Sequence, residues 1–383
     1  MLALPSTADA FTAADWTDIA PFYRQLLDAP PSAATAREWL ASWSQLDARV
    51  DEAYALAMIA YTGDTSDPAR EAAYLRWASE IAPRLHEVRV ELGRLLLPLA
   101  AALPDLRIFL REVRTDVEIF RTENLPRMAE LEEFEAAYDK ITGGLSVDWD
   151  GETKTVPELQ PFLLDRDRNV RERAFRAAAS AYLAHRDELA ALFDRMVATR
   201  HALARAAGFD NYRDYAFAAK YRFDYTAADC LRFHQSVETA VLPAIRRLDD
   251  ARRRALGVDT LRPWDVAISP ERASRLVPFT TTREFLAGAS RMFDAVDPEL
   301  GGEFREMVEE RLLDLESRAG KAPGGYCVRL PFRARPFIFM NAVGVHDDVN
   351  TLLHESGHAF HAFATSGIPY IWQRDTTHEA SEL

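Results

Sequence analysis

His354 and His358 stand four residues apart, and Glu355 directly follows the first of them, giving the pattern His-Glu-x-x-His. On a helix with 3.6 residues per turn, side chains at that spacing leave from one face, so their ring nitrogens can reach a single ion. Glu355 then lies beside the pair, placed to take a proton from a water held there. This is the chemistry of a zinc hydrolase, with the glutamate as general base and not as ligand. The same pattern can arise by chance on an acidic helix, so its flanks matter. Asp347 and Asp348 are N-cap candidates, Gly367 and Pro369 are stop signals, and Leu352, Leu353, Ala359, Phe360 and Phe363 supply an apolar face. The spacing predicts a bounded helix of about twenty residues.

Catalytic zinc takes three protein ligands and leaves one position open. The candidates for the third are His361, His378, Glu379 and Glu382. His361 shares the helix face, but it sits a further turn from the centre of the pair and reads as a supporting or packing residue. Glu379 and Glu382 fall on a segment that can return as a second helix after the Gly367–Pro369 break, and a glutamate from it would complete a His₂Glu site. Ser356 has no independent base and orienting partner with which to act as a nucleophile.

The elements that must position these groups are mostly helical. Apolar residues recur at spacings of three and four through residues 1–140, as in Leu40, Trp43, Leu46 and in Leu110, Val113, Val117, Phe120. Pro83, Pro98 and Pro104 read as punctuation, and the aromatic residues of this part read as core. Alternation in Leu145–Trp149, the turn pair Asp150-Gly151 and Lys154–Val156 predict a short hairpin, with a domain boundary beside it. A helix capped by Asp165 or Asp167 follows through Arg171, Phe175 and Tyr182, its successor ends at Gly208, and another helix runs from Thr226 to Gly257. Tyr326–Leu330 and Phe337–Asn341 predict two strands, with Pro331 and Pro336 limiting their pairing. Such a strand is either an ordinary core hairpin or an edge on which an extended peptide can be laid over the metal.

A chain of 383 residues with 48% apolar residues can bury a large core, and two domains are expected. A net charge of −14 argues against a nucleic-acid partner. Cys230 and Cys327 make no disulfide framework. The N-terminus lacks the features of a signal peptide, and the longest apolar run, Leu95 to Pro104, is about half the length needed to cross a bilayer. A soluble cytoplasmic protein with no membrane partner is expected.

The stretches KAPGGYC and RPFIFMNAVGVHDDVNTLLHESGHAFHAF resemble the zinc oligopeptidases of the thimet oligopeptidase and oligoendopeptidase F family, within its bacterial oligoendopeptidase F branch. PELQPFLLDRDRNVRERAFRA, AAGFDNYRDYA and RFDYT…LGVDTLRPWDV extend the resemblance over residues 140–383. It implies a mainly α, zincin-like metallopeptidase with a small sheet beside the motif helix and two halves around a deep channel. The halves are residues 1–140, an N-terminal helical domain, and 141–383, a zinc-peptidase catalytic domain. It implies one Zn²⁺ per chain held by His354, His358 and Glu382, Glu355 as catalytic base, and oligopeptides as substrates. In the family a Glu some two dozen residues past the second histidine is the third ligand, and EASEL at 379–383 selects Glu382 over Glu379. Ser356 replaces the apolar residue usual after the motif glutamate.

In that family the chain continues far past the third ligand, through a His and Tyr cluster that binds substrate and stabilises the oxyanion. Here Leu383 follows Glu382. The catalytic domain therefore reads as incomplete at its C-terminal end, and residues 1–383 alone are expected to bind zinc weakly and cleave peptides poorly. Two functions remain: a zinc-dependent endopeptidase acting on oligopeptides, or a catalytically impaired helical remnant that binds peptides or proteins. A metal assay combined with a quenched-peptide assay separates them.

Overall fold

Helix Ala36–Gly63 buries one unbroken stripe, Trp39, Leu40, Trp43, Leu46, Val50, Ala53, Ala57 and Tyr61, because its apolar residues recur at three and four. In the computed structural model, which describes residues 4, 5, 7, 9–270 and 275–382, this helix joins two cores. One face packs in a cluster with Ile19, Tyr23, Trp77, Leu85, Leu92, Leu96 and Phe109 from neighbouring helices. Ala55, Leu56 and Ile59 pack against a second cluster around Phe293, Phe304, Ile338 and Leu352. The opening residues 1–3 and Leu383 lie outside the described residues.

The chain is mainly helical with two small sheets. Helices return after the 146–155 hairpin: Arg168–Ala184 is capped by Asp167, Arg186–Ala206 ends before Gly208, and Ala227–Ser236 runs on into Leu242–Leu256, which ends at Gly257. Gly208 and Gly257 both adopt the left-handed conformation that glycine enters at no steric cost. Pro83 does not interrupt its helix. Residues 68–96 continue through a π-helical turn at Arg76–Ile81, with Pro83 at the start of the α-helical part that follows it. A second π-helical turn, Val237–Val241, likewise precedes Pro243.

Strands β1, Ser146–Trp149, and β2, Glu152–Thr155, form the antiparallel hairpin that the Asp-Gly pair anticipates, with Asp150 and Gly151 both at positive φ. The second sheet has the order β3-β5-β4, from β3, Leu313–Glu316, β4, Tyr326–Leu330, and β5, Arg335–Ala342. Strand β5 begins two residues earlier than its sequence suggests and contains Pro336, which lies opposite Arg329 in β4. β3 pairs with β5 only from Ile338 onward, so Pro336 owes β3 no hydrogen bond.

Two buried charged groups fasten this sheet. Glu52, fully buried on helix Ala36–Gly63, accepts the N–H groups of Phe332 and Arg333 at the β4–β5 turn. The Lys321 ammonium donates to the carbonyls of Asp314, Glu316 and Met340 and to the Asp314 carboxylate, joining β3 to β5. Burial pushes Lys321 down to about 8. β4 is left as the outer strand, its far edge unpaired among the described residues.

Candidate metal centre

The motif helix, His346–Thr365, follows β5 after a three-residue turn. Its N-cap is Val345 and not Asp347 or Asp348. Asp348 sits one turn inside the helix and reaches back, accepting the N–H groups of Val343, Gly344 and Val345 on Oδ2 at 2.9, 2.8 and 2.8 Å. Gly344 makes the turn possible with φ +87°. Replacing Asp348 by Ala leaves three donors to seek water at a half-closed site. It is expected to cost about 1–3 kcal/mol, read as a lower urea midpoint. An unchanged midpoint would show that the cap is dispensable.

The helix turns Leu352 and Ala359 into the second core, with Leu353, Phe360 and Phe363 packed beside them, and Phe360 meets Phe293 edge-on at 4.9 Å. The other side faces a cavity of about 890 Å³. His354 and His358 reach it with their Nε2 atoms 3.2 Å apart and ring planes at 87°. Glu382, just past the one-turn helix His378–Ser381, places Oε2 at 3.2 Å from His354 Nε2 and Oε1 at 3.8 Å from His358 Nε2. Ligands bound at ~2.0–2.1 Å to a tetrahedral ion sit ~3.3 Å from one another. The three side chains have that spacing, and the two nitrogens and one carboxylate are a zinc-compatible donor set.

Glu355 is only 7% exposed, and its Oε2 has no hydrogen-bond partner among the described residues. Burial raises its pKa, and His358 and His354 pull it back down. It lies against β4, where burial and the Glu355 charge push the Cys327 thiol up to about 12, so Cys327 is no thiolate ligand. Ser356 is fully buried, its hydroxyl unpaired among the described residues.

The other candidate ligands stand outside this cluster. His361 Nδ1 lies 3.1 Å from Arg329 Nη2, and Arg329 in turn binds Asp375 at 2.9 Å and the Arg374 carbonyl at 2.5 Å. His378 lines the cavity without joining the cluster. Glu379 is bound to Arg222 at 2.5 Å, and the Tyr225 hydroxyl and the Arg222 guanidinium bring its carboxyl down to about 2. Asp51, Tyr54 and Met58, one turn apart on helix Ala36–Gly63, form the opposite wall, although the aromatic residues of this part read as core from sequence. Their three-and-four spacing was the available signal, but it runs beside an equally regular buried stripe.

Comparison with known proteins places the chain in a family. The profile described as Peptidase family M3 matches residues 162–383, and that of the Peptidase M3 N-terminal domain matches residues 9–100. An oligoendopeptidase F homolog of Lactococcus lactis subsp. lactis (strain IL1403) is 26% identical over 210 residues, 54% of this chain and 33% of the relative. Oligopeptidase PepF of Bacillus subtilis (strain 168) is 25% identical over 228 residues, 57% of this chain and 32% of the relative. The matched stretch thus spans about a third of the curated relatives' length. An X-ray structure assigned as oligoendopeptidase F superposes with a TM-score of 0.92 at 27% identity, covering 96% of this chain and 66% of that one. PZ peptidase A with an inhibitor has the same fold, with a TM-score of 0.92 at 24% identity and the same coverage. No helix among the described residues is long and apolar enough to cross a membrane. With the M3 profile matched across more than half of its length, the chain belongs to peptidase family M3.

Proposed function

We propose that this chain carries the metal centre of a zinc-dependent endopeptidase that hydrolyses peptide bonds in short oligopeptides. The observation that supports this most is the spacing of His354 Nε2, His358 Nε2 and Glu382 Oε2 beside the partnerless carboxylate oxygen of Glu355. His354, His358 and Glu382 would hold the ion. Zinc bound there would lower the pKa of a water to about 7 and polarise the scissile carbonyl.

The rest falls to the chain's own groups. Glu355 takes the water's proton and later delivers it to the leaving amine, so one carboxylate serves both halves of the reaction. Its burial favours this exchange, because a carboxylate screened from bulk water is a stronger base than an exposed one. Strand β4 offers its open edge, from Gly325 to Leu330, to an extended peptide, with main-chain hydrogen bonds giving affinity independent of sequence. A bound segment there runs past Glu355.

The test is chelation of the natural gene product during cleavage of an internally quenched peptide. Removing the metal is expected to reduce the rate by at least about 10²-fold, and one equivalent of zinc per chain should restore it. Hydrolysis that continues unchanged after complete metal removal contradicts the proposal.

A further inference from the structure

Glu382 serves as third ligand only when it is aimed at His354 and His358. It follows helix His378–Ser381, which has no side-chain N-cap. Upstream, the segment is tied down as far as Asp375: Ile371 N–H donates to Ser44, Trp372 to Asp47, and Arg329 holds Asp375. Beyond Asp375, and apart from the Glu382 contacts to the two histidines, the ion pair that reaches another element among the described residues is Arg222–Glu379, at 2.5 Å with Tyr225 alongside.

The other end of that contact is rigid. Residues 220–226 link helix Tyr212–Ala219 to the helix that begins at Ala227. Tyr221 holds a left-handed backbone, φ +53°, unusual for an aromatic residue. Its hydroxyl donates to the Asp116 carboxylate, with both oxygens at 2.9 Å. Arg111 stacks on the Phe223 ring at 3.8 Å. Both partners belong to helix Arg107–Ile119 of the N-terminal part. The Thr226–Asp229 capping box closes the far side of the loop. Arg222 is thus presented from a loop bolted to the N-terminal helices and is 22% exposed.

An isolated surface ion pair contributes little to stability. The location of this one makes it different. Glu379 and Glu382 are three residues apart, so they lie on neighbouring positions of the same short turn. Fixing Glu379 fixes the direction in which Glu382 projects.

We propose that Arg222 and Tyr225 form a positioning clasp for the third metal ligand, holding the Glu379 turn so that Glu382 faces His354 and His358. The clasp rests on the metal reading above and extends it: the third ligand is steadied from a loop tied to helix Arg107–Ile119. Arg222 touches neither the ion nor the substrate, and it acts on the fraction of time that Glu382 spends in place. Metal affinity scales with that fraction.

The test is zinc affinity of the chain, measured by competition with a chromophoric chelator, alongside the unfolding midpoint of the metal-free protein. Arg222→Ala is expected to weaken zinc about 10–100-fold, as removal of outer partners of metal ligands does, with the metal-free midpoint little changed. Arg222→Lys should recover part of the loss. Tyr225→Phe, which deletes one hydroxyl, should move affinity the same way by a smaller factor. In a Glu382→Ala background Arg222→Ala should have no further effect, since no ligand remains to be positioned. Wild-type affinity in Arg222→Ala, or an equal loss with and without Glu382, overturns the clasp. If the wild-type chain itself takes up no zinc, the metal reading fails and the clasp with it.

Discussion

Glu355→Gln is expected to keep its zinc and lose almost all turnover. The amide has nearly the shape of the carboxylate, so the packing against β4 is preserved, but it cannot accept a proton at neutral pH. Positioned general bases contribute about 10²–10⁴-fold, and here the same group also returns the proton to the leaving amine. A fall in kcat of at least about 10³-fold is therefore expected, with KM for an oligopeptide little changed, because the residue acts on the water and not on the bound main chain. Quenched-peptide kinetics with metal analysis of the same sample check it. A variant that loses its zinc would instead make Glu355 a ligand. One that turns over at near the wild-type rate would leave the base to another group.

His358→Ala is expected to abolish stoichiometric zinc. Structural zinc sites with four ligands bind with about 10–16 kcal/mol, so a single ligand accounts for about 3–4 kcal/mol, or about 10²–10³ in affinity. His358 is also the more enclosed histidine of the pair, 22% exposed against 50% for His354, so less of its side-chain freedom is lost on binding. His354→Ala should go the same way. Neither should unfold the protein, since both rings face the cavity and not the core around Leu352 and Ala359. One equivalent of zinc retained after either substitution would remove that residue from the ligand set.

The parts of this architecture that could be read from the sequence are those fixed by local rules. Asp150-Gly151 suits the turn with positive φ at both central residues, which matches the twist of the flanking strands, and the β1–β2 hairpin forms there. Gly208 and Gly257 mark helix ends because the left-handed conformation is cheap only for glycine. The His354/His358 spacing likewise dictates a shared face before anything is known of the fold. What escaped detection depends on partners distant in the chain. Leu-Asp-Leu-Glu at 313–316 carries little strand signal of its own, and it becomes β3 by pairing in parallel with β5. Asp348 resembles an N-cap, but the helix starts earlier because the Gly344 turn turns three N–H groups toward its carboxylate. Glu379 and Glu382 are equivalent on composition, and only the family resemblance chose Glu382; the physical difference is Arg222, more than a hundred residues upstream, which occupies Glu379 while Glu382 faces the histidines. Asp51, Tyr54 and Met58 were hidden for a further reason. A helix buried along one face and lining a cavity along another shows no continuous polar stripe from which its exposed side can be read.

The arrangement of His354, His358 and Glu382 around one ion carries the whole account, and diffraction from zinc-loaded crystals on either side of the zinc absorption edge tests it most directly. A single anomalous peak per chain is expected, about 2 Å from the Nε2 atoms of His354 and His358 and from a carboxylate oxygen of Glu382, with Glu355 outside bonding distance. A peak at His361, His378 or Glu379, or zinc bound with Glu382 turned away, would contradict it.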